Sequence, residues 1–298
     1  MSESSTYIGR FAPSPSGPLH FGSLVSAVAS FLDAKANQGT WLIRMEDLDP
    51  AREPPGVAAQ ILTQLDDFGM ESDRPVLYQS SRLEAYEEAL LKLKLDNLIF
   101  PCDCSRAQVK AMGSIYDGAC RSRPLVPESD YAIRIKTNED LIEFNDRIQG
   151  PGAQNLRKDI GDFVVKRKDG LIAYQLAVVV DDDYQKITHV VRGFDLLDST
   201  PRQIYLQQRL GLSTPAYAHV PIAINQLGQK LSKQHFADPI DVRDRFSLLH
   251  SSLKFLGMTP PATHARESVR QQLQWGIQHW DIHNVPKLAN ISPHTIAT

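Results

Sequence analysis

Gly9-Arg10-Phe11-Ala12-Pro13-Ser14-Pro15-Ser16-Gly17-Pro18-Leu19-His20-Phe21-Gly22-Ser23 is the stretch whose reading decides the fold. Tyr7 to Ala12 reads as a short buried strand. It runs into a turn written in Pro, Ser and Gly, residues that preset or permit tight backbone angles. Beyond the turn, Leu24, Val25, Val28, Phe31 and Leu32 recur at i, i+1, i+4, i+7 and i+8, which lays one apolar stripe along a helix. Gly39 stops that helix. Trp41 to Met45 is a second strand, continuous with the charged string Arg44-Met45-Glu46-Asp47-Leu48-Asp49. Strand, loop, helix, strand is the opening unit of an α/β fold with a doubly wound parallel sheet.

Further along, helices are expected at 56–68 and 82–96, the second opened by Ser81-Arg82-Leu83-Glu84 as a capping box. Alternating segments follow near 131–136 and 143–149. Asp162 to Val180 reads as strands around a Lys168-Asp169-Gly170 turn, so that Asp181, Asp182 and Asp183 fall at a strand end in a solvated loop. Ile187 to Val191 is another strand, Ser199-Thr200-Pro201 starts a helix, and Tyr217 to Ile224 is a strand leading into the loop 225–232. From Ile240 onward the pattern is helical, with no further strand signal. The expected organisation is a nucleotide-binding sheet domain in two halves, 1–97 and 171–239, split by an insertion at 98–170 and followed by a helical region at 240–298.

The 298 residues can bury a core without disulfide support. A net charge of -3 excludes a chain that binds nucleic acid through overall basicity, so any RNA contact must come from a local patch. No apolar run approaches the roughly 20 residues of a membrane span. The opening MSESSTYIGR lacks the basic and apolar regions of a signal peptide. A cytoplasmic monomer with no membrane partner is expected.

The chemistry-bearing residues fall into four groups. His20 and Gly22 sit where a helix begins, and free N–H groups with partial positive charge there suit a phosphate. Gly22 lets a flat ring approach the backbone, and His20 can donate to phosphate oxygens. Lys230 and Lys233, three apart in Lys230-Leu231-Ser232-Lys233, can bring two ammonium groups to a polyphosphate. Taken alone, the first group is more often a helix cap and the second a solvated loop. Arg10 and Arg192, each beside an expected strand end, can clamp carboxylates through two-pronged hydrogen bonds. Glu46 can take an ammonium group and Tyr174 can add a hydroxyl contact. Finally, the only cysteines, Cys102, Cys104 and Cys120, fall in one window, which points to a metal site rather than a disulfide framework. Zinc takes four ligands. No His lies between Cys102 and Cys120; Tyr116 and Asp117 are the candidates for the fourth, and a carboxylate is the commoner oxygen ligand.

The pairing of His20-x-Gly22 with Lys230-Leu231-Ser232-Lys233 resembles the two signatures of class I aminoacyl-tRNA synthetases, over at least the first 240 residues. Arg10 in Gly-Arg-Phe-Ala-Pro-Ser-Pro-Ser-Gly, Arg44-Met-Glu46-Asp-Leu-Asp49, Tyr174 in Ala-Tyr-Gln-Leu-Ala and Arg192 in Val-Arg-Gly resemble the glutamyl and glutaminyl branch. Ser23 stands where the class motif has a second His, and Gln234 where it has a final Ser; neither carries the essential charge. Cys102-x-Cys104 followed by Tyr116-Asp-Gly-x-Cys120 resembles the zinc motif of the glutamyl-queuosine tRNA(Asp) synthetase family, and the resemblance makes Tyr116 the fourth ligand of a structural zinc. The roughly sixty residues after the Lys-Leu-Ser-Lys loop are too few for an anticodon-reading module, which fits the same family.

That resemblance implies activation of L-glutamate by ATP with Mg²⁺, then esterification of the queuosine base at the wobble position of tRNA(Asp). Glutamate would be held by Arg10, Ala12, Ser14, Glu46, Tyr174 and Arg192, ATP by His20, Gly22 and Lys233, and the catalytic groups would be His20, Lys230 and Lys233. The alternative is a glutamyl-tRNA synthetase paralogue that charges a tRNA 3′ end.

Overall fold

The computed structural model describes residues 6–113, 115–123, 130–225 and 239–292. The chain opens with β1 (Ile8–Phe11), α1 (Phe21–Ala36), β2 (Thr40–Met45), α2 (Val57–Asp67), β3 (Leu77–Tyr78) and α3 (Leu83–Leu95). A middle section carries β4 (Ile99–Cys102), α4 (Arg106–Ala111), β5 (Ala132–Ile135), β6 (Leu141–Asp146), β7 (Gly150–Asn155), a short α5 (Leu156–Asp159) and β8 (Phe163–Lys166). The chain then returns through α6 (Tyr174–Tyr184), β9 (His189–Gly193), α7 (Thr200–Leu210), β10 (Ala216–Val220) and β11 (Ile222–Ala223). It finishes with α8 (Arg245–Phe255), α9 (Val269–His279) and β12 (Asn290–Ile291).

Five strands form one sheet in the order β10-β9-β1-β2-β3, every neighbouring pair parallel. The period-2 alternation of a strand explains its two faces. Trp41, Ile43 and Met45 of β2 enter one core with Leu24, Val28 and Leu32 of α1 and Leu249 and Leu253 of α8. Leu42 faces the other way, into a core with Leu90 of α3, Val178 of α6 and Ile204 of α7. Helices therefore cover both faces, as a doubly wound sheet requires. All five stripe residues of α1 are buried. Gly39 permits the close start of β2 beside β1: a Cβ there would meet the Tyr7 carbonyl oxygen at 2.5 Å.

The middle section has its own antiparallel pairing, a three-stranded sheet β4-β5-β8 and a β6-β7 hairpin. Four sequence expectations are corrected. The stretch up to Val180 is not all strand: α6 occupies Tyr174–Tyr184, because burial of Leu176, Ala177, Val178 and Val179 outweighs the strand preference of a valine run. Asp181 and Asp182 are consequently not in a solvated loop; both are buried, at 0% and 4% exposure. Ser81 does not form a capping box. Its hydroxyl donates to the Tyr78 carbonyl, and α3 begins after a 3₁₀ turn with no side-chain cap. A strand does occur after Ile240, since β12 pairs in parallel with β11; two residues are too few to leave a periodic signal. Among the described residues no helix is long and apolar enough to cross a membrane.

Candidate functional site

From β1 the chain moves outward through β2 and β3, then comes back to place β9 on the opposite side of β1. In open α/β sheets ligands bind at such a switch point, beyond the carboxyl ends of the strands. A cleft of about 420 Å³ lies there. β1 and the turn after it contribute Arg10, Ala12, Ser14 and His20, the first turn of α1 Gly22, the end of β2 Glu46, the start of α6 Tyr174, and β9 Arg192. Every described residue that sequence reasoning assigned to glutamate or ATP thus borders one cavity. The Glu46 N–H donates to the Pro13 carbonyl at 3.0 Å, which ties the β1 turn to the end of β2.

His20 is the N-cap of α1. Its Nδ1 accepts from the Ser23 N–H at 3.3 Å, while the Ser23 hydroxyl accepts from the His20 N–H at 2.8 Å. Ser23, in place of the second His of the class motif, therefore closes a capping box. With Nδ1 accepting, the neutral ring carries its hydrogen on Nε2, the tautomer a phosphate oxygen needs.

Behind the cleft, Arg10 and Glu46 of its lining belong to a buried ion-pair network. Arg10 Nε donates to Asp182 at 3.2 Å, and Arg44 donates to Asp182 at 2.7 Å and to Gln185 at 2.9 Å. Arg44 also lies 3.5 Å from Glu46, whose side chain is 9% exposed. Burial pushes the Asp182 carboxyl up, but the charges and hydrogen bonds of Arg10 and Arg44 prevail and hold it below the usual carboxylate range. Glu46 goes the other way: burial raises its carboxyl, Asp182 adds to the rise, and Arg44 and Arg10 only partly offset it. Such a group gains from a neighbouring ammonium. Next to this network Asp181 accepts from Tyr86 at 2.6 Å, Gln79 at 2.9 Å and Arg82 at 3.1 Å. Sequence reasoning quoted Arg44 without assigning it and missed Asp182. An unusual aspartate triplet was the only local sign, and the arginine partners of Asp182 lie 172 and 138 positions away.

Arg192 is 4% exposed and its described partners are all neutral: His219 Nε2 at 2.9 Å, Gln203 at 2.8 Å, Thr200 at 3.0 Å, the Leu196 carbonyl at 3.2 Å and the Tyr174 hydroxyl at 3.5 Å. These five partners match its five N–H groups, so a carboxylate from outside would take the place of one of them, the 3.5 Å contact to Tyr174 being the longest. Burial raises the Tyr174 phenol, with Glu46 adding to it against Arg192 and Arg10, so the hydroxyl stays a donor.

Away from the cleft, the Cys102, Cys104 and Cys120 sulfurs lie within 4.8 Å of one another. The Tyr116 hydroxyl stands 3.4 Å from Cys102 Sγ, and the ring is 1% exposed. Asp117 is exposed, and its carboxylate is engaged by the Ala119 N–H at 2.8 Å. Gly161 makes the approach of Tyr116 possible: its φ is +76°, and a Cβ would lie 2.1 Å from the Tyr116 carbonyl oxygen. Burial and then the neighbouring thiols push Cys104 up to about 11, a crowding that a divalent cation would relieve. The donor set is compatible with zinc.

Lys230 and Lys233 lie outside the described residues. The flanks of that segment border the cleft: Ile222 and Ala223 line it, and the Ile240 N–H donates to the carbonyl of Leu19, next to His20, at 2.9 Å.

This chain belongs to the class I tRNA synthetases (E and Q), whose catalytic-domain model matches residues 8–265, and is therefore an ATP-dependent ligase. More particularly, it is similar to the Glutamyl-Q tRNA(Asp) synthetase of Pseudomonas aeruginosa, 50% identical over 287 residues that cover 96% of this chain and 98% of that one. The Glutamyl-Q tRNA(Asp) synthetase of Neisseria meningitidis serogroup B is 51% identical over 296 residues, with 96% and 100% covered. Among solved structures, the glutamate-tRNA synthetase of Elizabethkingia anophelis superimposes with a TM-score of 0.80 at 26% identity, over 98% of this chain and 69% of that one.

Proposed function

We propose that this chain activates L-glutamate with ATP and transfers the glutamyl group to the queuosine base at the wobble position of tRNA(Asp). The observation that carries the reading is a near full-length identity of about half to Glutamyl-Q tRNA(Asp) synthetases. The cleft supports it with two guanidiniums and one carboxylate, the complement of a dicarboxylic amino acid.

In this reading Arg10 and Arg192 take the carboxylates of glutamate, Glu46 its ammonium, and Tyr174, Ala12 and Ser14 complete the pocket. The α-carboxylate attacks the α-phosphate of ATP, pyrophosphate leaves, and glutamyl-adenylate remains. Positioning and charge stabilisation dominate such a step. The N-terminus of α1, with Gly22 and His20, receives ATP, and His20 with Lys230 and Lys233 meets the charge that grows on the phosphates. Mg²⁺ accompanies ATP as its counter-ion. A hydroxyl of the queuosine cyclopentenediol then attacks the activated carbonyl, and AMP leaves. A second chamber of about 500 Å³, which shares Ser14, Ser16, Glu46 and Tyr174 with the cleft, gives the acceptor room. Cys102, Cys104, Tyr116 and Cys120 would hold a structural zinc, which would pin the 98–170 insertion toward the RNA. Exchange of labelled pyrophosphate into ATP tests the first step. It should depend on glutamate, and exchange driven equally by other amino acids would remove the reading.

A further inference from the structure

Arg192 is oriented by a relay that the assigned site residues do not include. Its Nε donates to His219 Nε2 at 2.9 Å, and His219 Nδ1 lies 2.5 Å from Asp146 Oδ2. Both His219 and Asp146 have side chains at 0% exposure. The other oxygen of Asp146 accepts from the backbone N–H groups of Gln149 at 2.9 Å, Ile148 at 3.0 Å and His219 at 3.2 Å. Gln149 also donates to the His219 carbonyl at 2.7 Å. Asp146 ends β6, so the residue that fixes this ring comes from the middle section and not from the parallel sheet.

The direction of the chain follows from its ends. Arg192 Nε–H can only donate, and an ionised Asp146 can only accept. His219 must therefore carry its hydrogen on Nδ1 and offer a lone pair at Nε2. We infer that Asp146 and His219 are positioning residues that lock the Arg192 guanidinium in the orientation that receives a substrate carboxylate. The inference rests on the reading of Arg192 as a glutamate ligand.

Asp146→Asn keeps the size and the backbone contacts but puts an N–H against Nδ1. The imidazole hydrogen is forced to Nε2, where it meets Arg192 Nε–H, two donors face to face. KM for glutamate in pyrophosphate exchange should rise about 10- to 100-fold, the loss expected when a charged group loses a buried hydrogen bond, while KM for ATP holds. His219→Gln supplies a carbonyl oxygen near the Nε2 position and no longer needs Asp146, so it should cost less. In that background Asp146→Asn should add nothing further.

A wild-type KM in Asp146→Asn, an equal rise for ATP, or the same cost of Asp146→Asn in both backgrounds would overturn the relay. So would a variant set in which Asp146→Asn unfolds the chain whether or not His219 is Gln, because Asp146 would then serve the fold alone. Thermal melts of all three variants separate these cases. Absence of glutamate-dependent exchange in the unmodified chain would instead remove the functional reading beneath it.

Discussion

Asp182, in the last turns of α6, accepts from the Arg10 guanidinium of β1 at 3.2 Å across 172 positions of sequence. This contact sets the orientation of one of the two arginines in the cleft, and a second arginine, Arg44, shares the same carboxylate at 2.7 Å. Removing one member of a buried cluster leaves the others charged and unpaired, which typically costs about 3–5 kcal/mol. Asp182→Asn is expected to lose stability of that order in urea unfolding at neutral pH. The native pKa of Asp182 is depressed, so its contribution is complete above the unfolded value of about 4 and fades as pH falls below that range. The variant has no proton to take up there, and its stability should fall less steeply with acid than that of the parent. Identical acid limbs would contradict this.

Glu46 should make glutamate binding sensitive to pH. Its carboxyl is raised by burial, and an incoming ammonium favours the ionised form. Acidification into the range above the ordinary glutamate value of about 4.3 should therefore raise KM for glutamate. Glu46→Gln should show a high KM whose profile lacks that rise. Parallel profiles for the two proteins would take Glu46 out of ammonium binding.

His20→Ala and Lys233→Ala should each lower kcat of adenylate formation by roughly 10²–10³, with a much smaller change in KM for glutamate, because the charge they meet develops in the transition state. Steady-state pyrophosphate exchange measures both. An unchanged kcat in both variants would remove them from the mechanism.

Gly161→Ala should loosen the cysteine cluster. The new Cβ would collide with the Tyr116 backbone, and shifts in the shell around a metal commonly cost 10- to 100-fold in affinity. Gly150→Ala, also at positive φ but with nothing within 4 Å, is the control. Competition for zinc with a chelator should distinguish the two. Equal zinc retention would show that Tyr116 need not be held where it is.

Local chemistry made the opening of the fold readable. The Pro-Ser-Gly turn, the stripe on α1 and the strand Trp41–Met45, apolar but for Arg44, each report their own conformation without help from distant residues. That Arg10, Glu46 and Arg192 would border one cavity was legible for the same reason: they stand at or near strand ends, and strand ends converge at a switch point. The aspartates of α6 were not. Their burial depends on Arg10, Arg44, Arg82 and Tyr86, which reach them only after folding. The spacing of the cysteines made their clustering readable, and the three sulfurs do lie within 4.8 Å of one another, yet spacing could not choose between Tyr116 and Asp117 as a further ligand. In the structure the Tyr116 hydroxyl is buried against the Cys102 thiol, while the Asp117 carboxylate accepts from the Ala119 N–H of its own loop. Asp146 and His219 left no sequence signal, since a buried carboxylate–imidazole pair needs two segments of chain that only the tertiary fold brings together.

The most direct measurement is the destination of the glutamyl group. The full chain would be incubated with ATP, labelled glutamate and total tRNA from cells with or without queuosine, and the labelled RNA mapped by position-specific nuclease cleavage. Label should appear only in the queuosine-containing pool and within the anticodon fragment. Label at the 3′ end, or equal labelling of both pools, would contradict transfer to queuosine.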